Sequence, residues 1–148
     1  MKKLEFKTLI KTSQQELFDF HLDTNNIKII TPKDIKVELL NAETKTHEGK
    51  IVKLKTTKMG IPTYWEVLIE KMEEPKILVD VAIKSPFKYW KHEHIFEESK
   101  EGTYLIDRIE FNLGIPLIGC LIESLLKLDI KKMFHYRHNQ TKKYFEKD

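Results

Sequence analysis

The sequence predicts a single α+β domain in which a curved antiparallel sheet of about seven strands wraps around a long C-terminal helix. Apolar residues recur with a period of two between Ile35 and Leu113, which is typical of strands. From Gly119 to Phe145 they recur every three or four residues, which is typical of an amphipathic helix. The connections between the predicted strands are short, so consecutive strands should pair as antiparallel neighbours.

Composition favours one globular domain over residues 1–148. Hydrophobic residues make up 41% and charged residues 33% of the 148 residues, and this length suffices for one core. The net charge of +3 is small and the charges are interleaved, so we expect no nucleic-acid partner. Cys120 is the only cysteine, which excludes an internal disulfide and favours a reducing, cytoplasmic location. Its apolar neighbours predict that Cys120 is buried.

The N-terminal part should form one strand and two short helices. Leu4–Ile10 alternates loosely and is predicted to be the first strand. Ser13 followed three residues later by Glu16 resembles a capping box at the start of a helix. Asp23 or Thr24 can cap the second helix.

Six further strands and the long helix complete the predicted order. The strands are expected over 35–39, 49–57, 64–71, 77–83, 89–96 and 103–113. The turn Gly114-Ile115-Pro116 should end the sheet. The residues predicted on the buried side of the helix are Ile122, Leu126, Ile130, Met133 or Phe134, Arg137, Thr141 and Phe145.

The apolar run around residues 115–126 is shorter than the about 20 residues that a spanning helix needs. We therefore expect no membrane insertion, and the N-terminus has no signal-peptide pattern.

The stretch from Trp90 to Phe96 is the most informative part of the sequence. On a strand, residues two apart point to the same face, so Trp90, His92, His94 and Phe96 should share one face. Two aromatic rings and two imidazoles suit neither a plain apolar core nor a solvated surface. They suit a ligand pocket that is mostly apolar and carries a few polar groups.

The pattern Trp90-x-His92-x-His94-x-Phe96 also carries most of a resemblance to a known family. Further matching residues are Phe18–His21, Asn26, Ile30–Pro32, Trp65, Asp80, Ser85–Phe87, Gly102-Thr103, Asp107 and Tyr136-Arg137. With these residues the chain resembles the START-related helix-grip superfamily (SRPBCC), which includes polyketide cyclases and pollen-allergen-type ligand binders. It is most similar to the small bacterial members. The resemblance implies a cavity between sheet and helix but no single activity, because the superfamily contains binders, transporters and enzymes.

The favoured interpretation is non-catalytic binding of a small hydrophobic or amphipathic molecule in that cavity, by a monomer or homodimer and without a cofactor. The residues predicted to line the cavity are Trp65, Val67, Trp90, His92, His94, Phe96, Leu105, Asp107, Ile130, Phe134 and Arg137.

Arg137 lies on the predicted apolar side of the helix and therefore needs a partner for its charge. Asp107 is the best candidate, and Asp80 is the alternative, although it could face outward. Such a pair could tie the helix to the sheet. Arg137 and the histidines could instead contact the polar head group of a ligand.

Two alternatives concern chemistry. His92 or His94 with Asp107 could provide general acid/base catalysis in a cyclase/dehydratase- or hydrolase-like enzyme. His92 and His94 could also bind a metal with Asp107 as a third ligand. No Cys/His cluster supports a metal site, so we expect none.

Overall fold

The computed structural model describes residues 1–114 and 119–147. In chain order the elements are β1 (Lys2–Ile10), α1 (Gln14–Leu22), a 3₁₀ helix (Thr24–Lys28), β2 (Ile35–Leu39), β3 (Ile51–Lys58), β4 (Ile61–Glu73), β5 (Ile77–Lys84), β6 (Tyr89–Ser99), β7 (Gly102–Asn112) and α2 (Gly119–Phe145). This order confirms the predicted α+β architecture. Two expectations, the turn at Ile115-Pro116 and the burial of the Cys120 side chain, lie outside the described residues and side chains.

Side-chain caps begin both N-terminal helices, as predicted. The Oγ atom of Ser13 accepts a hydrogen bond from the backbone N–H of Glu16 at 3.1 Å. The Glu16 carboxylate accepts a hydrogen bond from the Thr12 hydroxyl. Asp23 accepts one from the N–H of Asn25 at 3.0 Å, so Asp23 rather than Thr24 caps the 3₁₀ helix.

The strands form one antiparallel sheet in the order β1-β7-β6-β5-β4-β3-β2. Consecutive strands pair from β2 to β7, and β1 pairs with β7. In this register His92 lies between Asp80 on β5 and Ile109 on β7, and His94 lies opposite Asp107 on β7. The pairing therefore brings two histidines and two aspartates together on the inner face of the sheet.

Helix α2 packs against the inner face of this curved sheet. The Phe134 ring stacks on the Phe6 ring of β1, with centroids 5.1 Å apart and an interplanar angle of 13°. The fully described part of α2 buries the side chains of Ile130, Phe134, His138 and Thr141. The prediction that Ile122 is buried was wrong, because its side chain is 43% exposed. A regular helix rotates Ile122 about 80° away from Ile130.

Two buried clusters form the core. One, near α1, includes Ile10, Leu17, Phe18, Phe96 and Leu105. The other, under α2, includes Phe6, Ile109, Phe111, Ile130 and Phe134. Within the described ranges, no helix is both long enough and apolar enough to cross a membrane.

Candidate functional site

A cavity of about 690 Å³ lies between the sheet and α2. Eight of the predicted residues line it, namely Trp65, Val67, Trp90, His92, His94, Ile130, Phe134 and Arg137. The exposed residues Asp34 and Lys58 on the sheet side and Asp129 and Lys132 on α2 also line it. Because these charged residues are exposed, the cavity reaches the surface between the start of β2 and the helix.

The other three predicted residues, Phe96, Leu105 and Asp107, are not on the wall of this cavity. Phe96 is 1% exposed, and its ring contacts the rings of Phe18 and His21 at centroid distances of 5.5 and 5.0 Å. Leu105 belongs to the same core cluster. The prediction that Phe96 and Leu105 point to the inner face of the sheet was correct. Helix α1 covers that end of the sheet, so both residues are part of the core and not of the cavity wall. Asp107 and Leu105 line a smaller cavity instead, together with His92 and His94.

Aromatic rings form one part of the cavity wall. The Trp65 and Trp90 rings meet edge to face at a centroid distance of 5.6 Å. The Phe87 ring lies 5.8 Å from Trp65 and 4.8 Å from Trp90. Phe87 was missing from the predicted wall, although it belongs to the Ser85-Pro86-Phe87 segment that carried part of the family resemblance. Its position just before β6 brings it beside Trp90.

A polar cluster forms another part of the site, and Asp107 is at its base. This carboxylate is 4% exposed. It accepts hydrogen bonds from Nε2 of His92 at 2.7 Å and from Nε2 of His138 at 2.6 Å. Nδ1 of His138 lies 2.7 Å from the Thr8 hydroxyl. His138, which follows Arg137 on α2, was not among the predicted residues.

The imidazoles of His92 and His94 lie between two carboxylates. Nε2 of His94 donates to Oδ2 of Asp80 at 2.9 Å, and Nδ1 of His94 lies 3.3 Å from Oδ1 of Asp107. Nδ1 of His92 lies 3.8 Å from Oδ2 of Asp80. The two ring centroids are 3.7 Å apart. Asp80 therefore faces inward, contrary to the expectation that it could face outward.

This environment gives the histidines different charges. Burial disfavours the charge on His94, but the neighbouring carboxylates of Asp107 and Asp80 outweigh it and raise the His94 pKa to about 9. Burial and the neighbouring His94 lower the pKa of His92, and they lower the pKa of His21 to about 4. At neutral pH, His94 is therefore charged while His92 and His21 are neutral.

Asp107 keeps its negative charge although burial disfavours it. Burial raises the pKa of this carboxyl, but its interaction with His92 and the hydrogen bond from His138 outweigh burial and hold the pKa well below its usual value. The site therefore contains a permanent anion beneath the two imidazoles.

Asp107 and Arg137 do not form the predicted direct ion pair, although the charges of Asp107 and Asp80 partly offset the lowering of the Arg137 pKa by burial. The Asp107 oxygens accept hydrogen bonds from His92 and His138 instead. Adjacent helix residues point about 100° apart, and α2 turns His138 rather than Arg137 toward Asp107. The Arg137 guanidinium lies 5.1 Å from the Phe134 ring centroid. Its Nε atom is buried and makes no hydrogen bond with the part of the chain that is described.

Comparison with known proteins identifies the fold but not the function. The sequence matches no protein-family model and no curated protein. Among solved structures, protein CV1439 from Chromobacterium violaceum is 11% identical, with a TM-score of 0.80 over 100% of both chains. Protein Ms6760 from Mycobacterium smegmatis is 12% identical, with a TM-score of 0.76 over 99% of this chain and 91% of that one. Ara h 8.0201 is 14% identical, with a TM-score of 0.71 over 99% of both chains. The chain therefore has the helix-grip fold, while membership of the SRPBCC superfamily stays a prediction.

Proposed function

We propose that this protein binds a small hydrophobic or amphipathic molecule in the cavity between the sheet and α2. The observation that carries the proposal is the cavity of about 690 Å³ with aromatic and aliphatic walls and a buried polar cluster. Ligand pockets typically enclose about 300–1,000 Å³ and combine apolar walls with a few polar groups. The resemblance to the SRPBCC superfamily supports the same function.

Arg137 favours an amphipathic ligand with an oxygen-bearing head group. Its buried Nε atom makes no hydrogen bond with the described residues, and a buried donor without a partner costs about 1–3 kcal/mol. A carboxylate or hydroxyl of the ligand would provide an acceptor. The apolar tail would then contact Trp65, Trp90 and Val67, which also line the cavity.

Native mass spectrometry tests this proposal. Freshly purified protein, and protein incubated with dodecanoate, dodecanol or dodecylammonium, would be compared at equal concentrations. We expect a 1:1 adduct with dodecanoate and a weaker one with dodecanol, because only the acid gains from the charge of Arg137. The variant Arg137→Gln should lose that preference. If none of the three compounds forms a 1:1 adduct and nothing co-purifies, the proposal fails.

A second candidate function is general acid/base catalysis in the same cavity. It is favoured by one observation, namely that His92 and His94 both line the cavity and both hydrogen-bond a carboxylate. Hydrolysis of a p-nitrophenyl dodecanoate probe should then depend on pH and be lost in His94→Ala but not in His135→Ala, since His135 is an exposed histidine of α2. Equal rates in the two variants would exclude this candidate.

A further inference from the structure

We propose that Asp80, His92 and His94 form a binding site for a divalent transition-metal ion such as Zn²⁺, with an open coordination position facing the cavity. All three residues line the cavity. One ligand atom from each lies within 4.8 Å of the other two. Two imidazole nitrogens and one carboxylate oxygen are ligands that Zn²⁺ and its neighbours in the periodic table accept.

The strand geometry makes the ligand atoms converge. His92 and His94 are two residues apart on β6 and therefore share a face, and Asp80 lies opposite His92 on β5. Two donors about 2.1 Å from one tetrahedral ion lie about 3.4 Å apart. The spacings from Oδ2 of Asp80 are 2.9 Å to Nε2 of His94 and 3.8 Å to Nδ1 of His92. One distance is shorter and the other longer than the separation of about 3.4 Å between two ligands of one ion. Small side-chain rotations would therefore bring the three ligand atoms to binding distance.

The residues behind the histidines support a metal site. Histidines that bind metals usually donate their other ring N–H to a carboxylate or a carbonyl. Asp107 accepts such a hydrogen bond from Nε2 of His92 at 2.7 Å. Nδ1 of His94 lies 3.3 Å from Oδ1 of Asp107 but makes no hydrogen bond with the described residues. His138 donates to the second oxygen of Asp107 at 2.6 Å. The nitrogens nearest Asp80 are thereby left free to bind an ion once the hydrogen bond between His94 and Asp80 is broken.

The charges also suit a divalent ion with an anionic or neutral oxygen ligand. Asp80 and Asp107 together offset a charge of +2, and Arg137 adds a positive charge on the same cavity wall. A water molecule or an oxygen of the cavity ligand can take the open position. The metal site does not depend on the proposed ligand-binding function. The two proposals can be tested separately, because binding of dodecanol can be measured with metal-free protein.

Titration of metal-free, untagged protein tests the proposal. The protein would be treated with EDTA, dialysed, and titrated with Zn²⁺ in a calorimeter and with Co²⁺ in a spectrophotometer. We expect 1:1 binding and visible Co²⁺ bands without a thiolate charge-transfer band, and the same result for Cys120→Ser. If wild-type protein binds neither ion stoichiometrically at micromolar concentration, the proposal is wrong.

Matched variants show which residues bind the ion. Asp80→Asn and His94→Gln should weaken binding by at least about 100-fold, and Asp107→Asn by about 10–100-fold because it orients the ligands. Asp19→Asn, at an exposed carboxylate of α1, and His135→Gln, on the exposed side of α2, should bind like wild type. Unchanged affinity in Asp80→Asn would overturn the assignment.

A measurement on the wild-type protein keeps the proposal testable even if the variants do not fold. The chain has six histidines, and their ring nitrogen resonances can be followed separately by NMR during the Zn²⁺ titration. We expect the nitrogens of His92 and His94 that lie nearest Asp80 to shift most. Shifts confined to the exposed rings of His47 and His135 would show adventitious surface binding and contradict the proposal.

Discussion

At the residue scale, Asp107 organises the polar cluster, because its buried carboxylate lies within 3.3 Å of ring nitrogens of three histidines. We expect Asp107→Asn to lower the free energy of unfolding by about 3–5 kcal/mol, the usual cost of breaking a buried charge pair. Urea denaturation measures this loss. The control is Glu5→Gln, which breaks an exposed ion pair with Arg108 and should cost at most about 1 kcal/mol. Similar losses in the two variants would contradict this role of Asp107.

The histidines also predict how stability depends on pH. The pKa of His94 is raised from 6.5 to about 9, so its charged form stabilises the folded protein. This contribution is fully present below about pH 6.5 and is lost as the pH rises to about 9, and it amounts to about 3 kcal/mol. Urea denaturation at these two pH values should show the loss. His94→Gln should abolish it, whereas His135→Gln should retain it.

The acid side should behave in the opposite way. His21 has its pKa lowered from 6.5 to about 4, so the unfolded chain takes up a proton at a higher pH than the folded protein. Stability should therefore fall as the pH drops from about 6.5 to about 4. His92, whose pKa is also lowered, adds to this effect. Below about pH 4 the loss should continue, because the folded protein holds the pKa of Asp107 well below its usual value. If the free energy of unfolding did not change between pH 4 and pH 9, both the lowered pKa of His21 and the raised pKa of His94 would be contradicted.

The sequence predicted part of this cluster. Alternation on β6 correctly placed His92 and His94 on one face. The partner of Asp107 was assigned incorrectly, because the choice between Arg137 and His138 depends on the rotation of α2, which spacing alone defines only coarsely. The sequence did not indicate that Asp80 points inward, because β5 is apolar on both faces, as the neighbouring buried residues Leu78 and Val79 show.

At the scale of elements, α2 is held to the sheet by Phe134, which is 1% exposed. We expect Phe134→Ala to lower the free energy of unfolding by about 3–5 kcal/mol, since it removes a buried ring and leaves a cavity against Phe6. Leu128→Ala on the same helix is the control, because Leu128 is 54% exposed and should change stability by about 0.5 kcal/mol or less. Equal losses would show that α2 does not depend on this contact.

The turn between β6 and β7 depends on Gly102. Its φ is +150°, and a Cβ atom there would lie 2.3 Å from the carbonyl oxygen of Ile10. Gly102→Ala must therefore move backbone and should destabilise the protein more than Gly60→Ala, where φ is +75° but space is open. We expect Gly60→Ala to lower the free energy of unfolding by about 1–2 kcal/mol because of the backbone conformation alone. Gly102→Ala should lower it by more. Thermal denaturation of both variants measures the difference, and an equal loss would contradict the steric argument.

At the scale of the whole molecule, the cavity results from a curved sheet that α2 covers only in part. Element order and the pairing of consecutive strands from β2 to β7 were predictable because they follow from periodicity and short connections. The pairing of β1 with β7 was not, because these strands are far apart in the sequence. The extent of the cavity was not, because it depends on how side chains from β1, β7 and α1 fill one end of the sheet. Phe96 and Leu105 show this, since they share the inward face with His92 yet belong to the core.

A fluorescence titration tests whether a ligand binds in this cavity, because both tryptophans of the chain line it. Dodecanoate would be added to wild type, to Val67→Phe, which places a ring in the cavity, and to Leu68→Phe, which introduces the same ring at the neighbouring, half-buried position that does not line the cavity. We expect saturable changes in tryptophan emission for wild type and Leu68→Phe, and binding at least about tenfold weaker for Val67→Phe. No saturable change in wild type, or equal affinity in both variants, would contradict binding in this cavity.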